Sequence, residues 1–280
     1  MSAEGRLTGG IIAAGEGRRL REDGWPMPKP LVPVAGVPLL ASAVGNFAAA
    51  GITSIVVIVN ESEGECVEWA RGRFPGVDLR FIVKTTASSL ESFLEVARHP
   101  SGAVRGPLLI STVDAWCPPA DFARFVEAAR RRPPDATVLG VTPLVADESP
   151  LWARLAPDGR ITGLGGPSGD VVTAGFYLVP ERVRRLVPPP GLGRLRAFLG
   201  WLVRAGEPVY GELIPTVVDV DRSSDVALAE GLAEEQRRRS SAPGSSGGER
   251  SGIDRTERGD GAAGETSRPH VALKTGGPGA

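Results

Sequence analysis

The sequence predicts an α/β protein: a mostly parallel, mixed β-sheet flanked by helices, with a small antiparallel subregion. Two observations predict it. Between residues 7 and 141, short apolar, β-branched segments alternate with segments of helical periodicity, which is typical of right-handed βαβ units. From residue 151 to residue 179 the pattern changes to short strands around an Asp158-Gly159 turn, which predicts a β-hairpin.

The predicted elements follow in chain order. Strands are expected over residues 7–13, 54–59, 79–83, 107–112 and 137–141, and helices over residues 38–50, 62–73, 88–99 and 118–132. The hairpin is expected over residues 152–155 and 161–164, followed by a strand at 171–179, helices at 180–186 and 195–205, an extended segment at 209–220 and a last helix at 223–238. Ser88 or Ser89 is expected to cap the helix that follows the third strand.

Composition bounds the domain organisation and the partners. Residues 1–239 are expected to form one α/β domain, whereas residues 240–280 contain Ser, Gly, Pro, Arg and Glu with almost no large apolar side chain and predict a disordered tail. The formal net charge is −1, which argues against nucleic acid as a partner. The sequence has no signal peptide pattern and no long apolar run, so we expect no membrane contact and a cytoplasmic location.

A glycine-rich turn follows the first predicted strand. Residues 9–20 read Gly-Gly-Ile-Ile-Ala-Ala-Gly-Glu-Gly-Arg-Arg-Leu, and the backbone N–H groups of such a turn can approach phosphate oxygens closely. The turn has neither the Walker A sequence nor the spacing of a dinucleotide fingerprint. Residues 18–38 are instead expected to form a long loop interrupted by prolines, in which Lys29 is ordered between Pro28 and Pro30.

Carboxylates occur at the ends of two predicted strands. Asp114 follows the fourth strand, where ligands of open α/β sheets bind. Its oxygens can hold a hard cation such as Mg²⁺, or it can simply cap the next helix. Asp219 and Asp221 alternate along an extended segment, so their side chains share one face. Either one of the two is a second metal ligand, or both are solvated carboxylates before a helix.

Together, the glycine-rich turn, the Pro-Lys-Pro-Leu segment at residues 28–31 and the Val-Ala-Gly-Val-Pro-Leu-Leu segment at residues 34–40 resemble the signature of the nucleotidyltransferase family. This family contains sugar-1-phosphate nucleotidyltransferases and related cytidylyltransferases, and its Rossmann-like fold is shared with GT-A glycosyltransferases. The resemblance extends more weakly over residues 7–233. It implies Lys29 and Arg18 as catalytic residues, and Asp114 and Asp219 as Mg²⁺ ligands, with Asp221 as the alternative to Asp219.

The resemblance also implies binding positions. For the triphosphate they are the turn residues Ala13, Ala14, Gly15, Glu16 and Gly17, and for the base they are Thr85, Thr86 and Ser88. Gly175 and Tyr177 match the strand that lines the acceptor pocket. Many sugar nucleotidyltransferases carry a Glu-Lys-Pro segment that contacts the sugar phosphate, but the corresponding residues 164–169 read Leu-Gly-Gly-Pro-Ser-Gly.

The expected reaction is therefore Mg²⁺-dependent nucleotidyl transfer from a nucleoside triphosphate to a phosphorylated small molecule, with release of pyrophosphate. Two alternatives remain open at this point. One is glycosyl transfer on the same fold, which Lys29 and the glycine-rich turn disfavour. The other is a nucleotide-binding regulatory protein without turnover, which the missing Glu-Lys pair allows.

Overall fold

The computed structural model describes residues 7–99, 106–144 and 149–241. Their strands are β1 (Thr8–Ala13), β2 (Pro33–Val34), β3 (Val37–Pro38), β4 (Ser54–Val59), β5 (Asp78–Val83), β6 (Leu108–Thr112), β7 (Ala115–Trp116), β8 (Thr137–Thr142), β9 (Trp152–Leu155), β10 (Ile161–Leu164), β11 (Val171–Val179), β12 (Val209–Leu213) and β13 (Val218–Asp219). Their α-helices are α1 (Arg18–Glu22), α2 (Leu39–Ala49), α3 (Glu65–Ala70), α4 (Ser89–Arg98), α5 (Pro119–Arg130), α6 (Glu181–Arg184), α7 (Leu195–Arg204) and α8 (Ser223–Ser241).

The main sheet is mixed, as the sequence predicts. Strand β1 pairs in parallel with β4 on one side and β6 on the other, and β4 pairs in parallel with β5. Strand β11 runs antiparallel to β6 and β8, while β12 pairs in parallel with β8. The β9–β10 hairpin adds the expected antiparallel subregion next to β11. The predicted fold class is confirmed, and the carboxyl ends of β1, β4 and β6 lie side by side.

Two glycines in β1 allow helices to pack closely on both faces of the sheet. A Cβ on Gly9 would lie 2.7 Å from a ring carbon of Phe47 in α2, and a Cβ on Gly10 would overlap Val96 in α4. The α2 face is filled by buried aromatic rings, with Phe47 and Phe122 5.2 Å apart. Because helices pack closely on both faces of β1, this packing fixes where the turn that follows β1 begins.

Several predicted boundaries are wrong for identifiable reasons. The predicted helix at 62–73 is only α3, preceded by a 3-10 helix (Glu61–Glu63), because the chain leaves helical geometry at Arg71 and Gly72 has a positive φ of 71°. The helix expected at 180–186 is the single turn α6. The extended segment at 209–220 is divided into β12 and β13 around Pro215, since proline cannot donate to a strand ladder.

The predicted long loop at 18–38 also contains regular structure. It includes α1, a 3-10 helix (Lys29–Leu31) and the β2–β3 ribbon. Helix α1 begins directly after Gly17, whose left-handed backbone (φ 57°) reverses the chain. At the other end of the domain, α8 reaches Ser241. Most of the predicted tail, residues 242–280, lies outside the described residues, and the 239/240 boundary stays a prediction.

Among the helices that the structure describes, none has the length and hydropathy needed to cross a bilayer.

Candidate active site

The glycine-rich turn lies at the carboxyl end of β1 and packs on the segment that carries Lys29. A Cβ on Gly17 would lie 2.8 Å from the Lys29 Cβ, so only glycine fits there, and its φ of 57° also favours glycine. A Cβ on Gly15 would meet nothing within 4 Å. The turn therefore packs against Lys29 at Gly17. The space next to Gly15 is open, so the backbone there is accessible to a ligand.

Lys29 is the buried cation of the site. It begins the 3-10 helix that follows Pro28, and its side chain is 7% exposed. Its Nζ donates to Asp114 Oδ2 at 2.6 Å and also to Asp221 Oδ1. The prolines on either side of Lys29 have a fixed φ, which restricts the backbone conformations of this segment. The prediction that Lys29 is ordered is confirmed.

A short strand pair brings the carboxylates together. Strand β7 follows Asp114 and pairs antiparallel with β13, which aligns Asp219 with Ala115. The backbone oxygen of Asp114 accepts from the N–H groups of Trp116 (2.8 Å) and Val220 (3.0 Å). One carboxylate oxygen from each of Asp114, Asp219 and Asp221 lies within 4.8 Å of the others. Residues that are more than a hundred positions apart in the sequence thus form one acidic cluster.

Asp221 is held from two sides. The carboxylate of Asp225, in the first turn of α8, accepts from the backbone N–H groups of Asp221 (3.0 Å) and Arg222 (2.8 Å). The Asp221 side chain accepts from Arg19 Nη1 at 3.2 Å as well as from Lys29. Arg19 of α1 therefore ties the glycine-rich turn to the acidic cluster.

The charges of Lys29 and Asp114 stabilise one another. Burial alone would lower the pKa of Lys29, but the carboxylates of Asp114, Asp221 and Asp219 raise it above its usual value. Burial alone would raise the pKa of Asp114, yet Lys29 and a hydrogen bond from Thr112 hold it below its usual value. At neutral pH, Lys29 is therefore a fixed ammonium and cannot act as a general base.

The donor set of the cluster fits a hard divalent cation. It offers carboxylate oxygens from three residues that lie within 4.8 Å of one another, and hard divalent cations such as Mg²⁺ prefer oxygen ligands. Lys29 is in contact with Asp114 and Asp221, and Arg19 also pairs with Asp221, so the three carboxylates still outnumber the two cations that contact them. The residues present therefore fit a divalent cation with oxygen ligands.

A pocket of about 340 Å³ adjoins the cluster. Asp114 and Asp219 belong to its lining, together with Gly175 and Tyr177 of β11 and Arg196 of α7. Gly175 has a φ of 76°, and a Cβ there would lie 2.6 Å from Thr112 Oγ1. Burial, followed by the charges of Asp114 and Asp219, raises the pKa of Tyr177, so its hydroxyl is neutral and can donate. We call this space the acceptor pocket, after the role that the sequence resemblance predicts for Gly175 and Tyr177.

The other predicted residues are not brought to the cluster by their side chains. Thr85 donates to Glu61 at 3.0 Å, the Thr86 and Ser92 hydroxyls are 2.6 Å apart, and Ser88 caps α4 by accepting from the Glu91 N–H. Ser88, rather than Ser89, is therefore the helix cap.

Arg18 lies at the surface. Its side chain is 74% exposed and pairs with Glu16 at 2.9 Å. The roles predicted for Arg18 and for the base-binding residues therefore stay predictions.

Several charged residues near the site were not predicted from the sequence. Arg19 contacts Asp221, and Arg194 and Arg196 line the acceptor pocket. Glu63 is buried after β4, and neither carboxylate oxygen has a hydrogen-bond partner among the described residues. Burial, opposed mainly by Arg21, raises the pKa of Glu63 to about 7. None of these residues has a local sequence signal, because each depends on contacts between distant segments.

The chain is similar to known nucleotidyltransferases. It is 28% identical over 229 residues to the CMP-5'-(3-aminopropyl)phosphonate synthase of Streptomyces rubellomurinus, covering 80% of this chain and 33% of that protein. It is also 28% identical over 200 residues to a glucose-1-phosphate thymidylyltransferase of Actinoplanes, covering 65% of this chain and 62% of that protein. This chain thus spans from a third to about three fifths of the length of these relatives.

The fold is also that of solved nucleotidyltransferases. The inositol-1-phosphate CTP transferase from T. maritima superposes with a TM-score of 0.69 at 18% identity, covering 84% of this chain and 98% of that one. A family model, the MobA-like NTP transferase domain, matches residues 9–158, which include the glycine-rich turn, Lys29 and Asp114. The chain belongs to the family of MobA-like NTP transferase domains.

Proposed function

We propose that the protein transfers a nucleotidyl group from a nucleoside triphosphate to a small molecule that bears a phosphate or phosphonate group, in a reaction that requires Mg²⁺. One observation carries this proposal: Asp114 and Asp219 belong both to the acidic cluster around Lys29 and to the lining of the acceptor pocket. A triphosphate on the glycine-rich turn and an acceptor in the pocket would meet at these two carboxylates. Such positioning is the main source of catalysis in phosphoryl-type transfer.

The chemistry needs no general base. An anionic oxygen of the acceptor attacks the α-phosphorus, a new P–O bond forms, the bond between the α-phosphorus and the bridging oxygen breaks, and pyrophosphate leaves with that oxygen. Because a phosphate or phosphonate is already an anion at neutral pH, no proton has to be removed first. This agrees with a site whose central amine, Lys29, is held protonated.

The chain's own residues then have distinct roles. The backbone N–H groups of residues 14–17 bind triphosphate oxygens, with Arg18 at the outer edge. Lys29 stabilises the charge that develops between the attacking oxygen and the α-phosphate. Asp114 and Asp219 would hold Mg²⁺, with Asp221 as the alternative to Asp219, and the bound ion would neutralise phosphate charge. The ammonium of Lys29 would turn from the carboxylates toward the phosphate when both ligands are present.

The relatives support the transfer of a nucleotidyl group more strongly than they support any particular acceptor. Their names share a nucleotidyl group as the transferred unit, whereas their acceptors include a phosphonate and a sugar phosphate. The hydroxyls of Thr85, Thr86 and Ser88 are already engaged within the protein. We therefore propose that this segment contacts the base through backbone groups.

Pyrophosphate release by the full chain tests the proposal. Each of the four common nucleoside triphosphates is combined with glucose 1-phosphate, glycerol 3-phosphate or propylphosphonate, with Mg²⁺ or with EDTA. We expect pyrophosphate in at least one Mg²⁺ well and in none of the EDTA wells. Pyrophosphate in no well would contradict turnover and favour a regulatory nucleotide-binding protein.

Two variants and one control test the residue assignment. Lys29→Ala and Asp114→Asn should lose turnover, while Arg71→Gln should keep it, because Arg71 is 72% exposed and pairs with Glu68 of α3. Turnover at the wild-type rate in either of the first two variants would contradict the assignment.

A further inference from the structure

The acceptor pocket has an apolar wall. Six of its lining residues are leucine or valine and lie on β11, on α7 and in the segments after β8, before β9 and before β13: Leu144, Leu151, Val172, Leu195, Leu199 and Val217. Four of them, those on β11, on α7 and before β13, are buried. Such a surface favours a hydrocarbon body, because apolar area that leaves water contributes about 25 cal/mol per Å².

The pocket offers few partners to a polyhydroxylated ligand. Among the described lining residues there is no Asn, Gln, Glu, His or Lys, and the two carboxylates belong to the acidic cluster. Three of the five hydroxyl-bearing side chains already make one hydrogen bond within the protein: Ser89 accepts from the Leu195 N–H, Thr142 accepts from the Leu144 N–H, and Thr112 bonds to Asp114. A sugar ring carries several hydroxyl groups that would have to share these few side chains, and any hydroxyl group buried without a partner is unfavourable.

The cations of the pocket lie at the start of α7. Arg194 is the residue before the helix, and Arg196 lies in its first turn. Both are exposed. Arg196 donates to the backbone oxygen of Ser149 at 3.1 Å, and among the described residues no carboxylate pairs with either arginine. Both guanidinium groups are therefore available to an anionic ligand. The Glu-Lys-Pro segment, which in many sugar nucleotidyltransferases contacts the sugar phosphate, is missing from this chain.

We propose that the acceptor is a small organic phosphate or phosphonate with a short aliphatic body, and that Arg194 and Arg196 bind its anionic group. This inference rests on the proposed function, because it names the acceptor of that same reaction. The volume of about 340 Å³ is at the small end of the range for ligand pockets, roughly 300–1,000 Å³. Planar guanidinium groups suit the tetrahedral oxygens of a phosphate or phosphonate.

The test compares propylphosphonate and propyl phosphate with glucose 1-phosphate, using the full chain, a mixture of four nucleoside triphosphates and Mg²⁺. We expect kcat/KM for the better propyl compound to exceed that for glucose 1-phosphate by at least about tenfold. Equal or better use of glucose 1-phosphate would overturn this inference and leave the proposed function standing. Pyrophosphate from none of the three acceptors, nor from glycerol 3-phosphate, would overturn both.

Variants of the two arginines separate binding of the acceptor from binding of the nucleotide. Arg194→Gln and Arg196→Gln should each raise the KM for the propyl compound by about tenfold, because a charge-assisted hydrogen bond is lost, while the KM for the nucleotide changes less than about twofold. Arg204→Gln, at the far end of α7 and outside the pocket lining, is the matched control. An unchanged acceptor KM in both pocket variants, with thermal unfolding as in the control, would contradict the role of these arginines.

Discussion

The donor side and the acceptor side of the candidate site are built in opposite ways. On the donor side, Lys29, Asp114 and Asp221 are already bonded to one another without any ligand. On the acceptor side, the pocket has an apolar wall. Its lining also includes two exposed arginines that do not pair with any carboxylate of the described residues. The charged groups of the donor side are thus held by one another before any ligand binds. The acceptor side keeps its charged groups available, and it is there that this chain departs from the sugar nucleotidyltransferase pattern.

Removal of the Lys29 amine should have the largest effect. Lys29→Ala leaves three carboxylates within 4.8 Å without their buried cation, and it removes the charge that stabilises the transition state. We expect kcat to fall by about 10³ and the nucleotide to bind more weakly. Steady-state pyrophosphate release measures the fall, and urea unfolding checks that the variant is folded. A folded variant that loses less than about tenfold would show that the donor side does not depend on this ion pair.

The effect of Glu63 should be on stability rather than on rate, because this carboxyl is buried and has no hydrogen-bond partner among the described residues. Its pKa is about 7 when folded against the usual 4.5, so the folded state holds the proton more tightly. Stability should therefore fall as pH rises from about 4.5 to about 7, by about 3 kcal/mol in total. Glu63→Gln should remove this fall.

Urea unfolding at pH 5 and pH 8 measures the contribution of Glu63. The exposed neighbour Glu65 provides the control variant Glu65→Gln, in which the wild-type difference between the two pH values should persist. If Glu63→Gln shows the same difference as the wild type, the carboxyl of Glu63 does not titrate in this range.

Gly175 tests how closely the acceptor pocket is packed against β6 and β7. In Gly175→Ala, the new Cβ would lie 2.6 Å from Thr112 Oγ1 and 2.7 Å from the Ala115 Cβ, at a φ of 76°. We expect the free energy of unfolding to fall by about 1–3 kcal/mol and the KM for the acceptor to rise. Gly163→Ala is the control, since its Cβ would meet nothing closer than 3.8 Å. Equal stability of the two variants would show that the pocket wall can relax.

Arg18 should have the smallest effect. Its side chain is 74% exposed and pairs with Glu16, so water already screens its charge. Arg18→Gln should raise the KM for the nucleotide by no more than about fivefold and leave thermal unfolding unchanged. A loss as large as that of Lys29→Ala would mean that Arg18 turns into the site when the nucleotide binds.

The sequence predicts the donor side better than the acceptor side for a physical reason. Lys29 lies between prolines, and Asp114 and Asp219 lie at the ends of apolar strands, so local patterns identify them. Arg194 and Arg196 precede an ordinary amphipathic helix, and Glu63 lies in an acidic segment. Their significance comes from the packing of α7 on the sheet and of the 3-10 helix beside β4. The fold class follows from periodicity, whereas short elements such as α1 and α6 depend on single glycines or prolines.

In the proposed reaction, the acceptor attacks the α-phosphorus where the donor side and the acceptor side meet. This attack is tested most directly with nucleoside triphosphates labelled at either the α- or the γ-phosphate, incubated with Mg²⁺ and the best acceptor. The account predicts that the α-label moves to the acceptor product and the γ-label appears only in pyrophosphate. A γ-label on the acceptor, or free phosphate in place of pyrophosphate, would contradict the account.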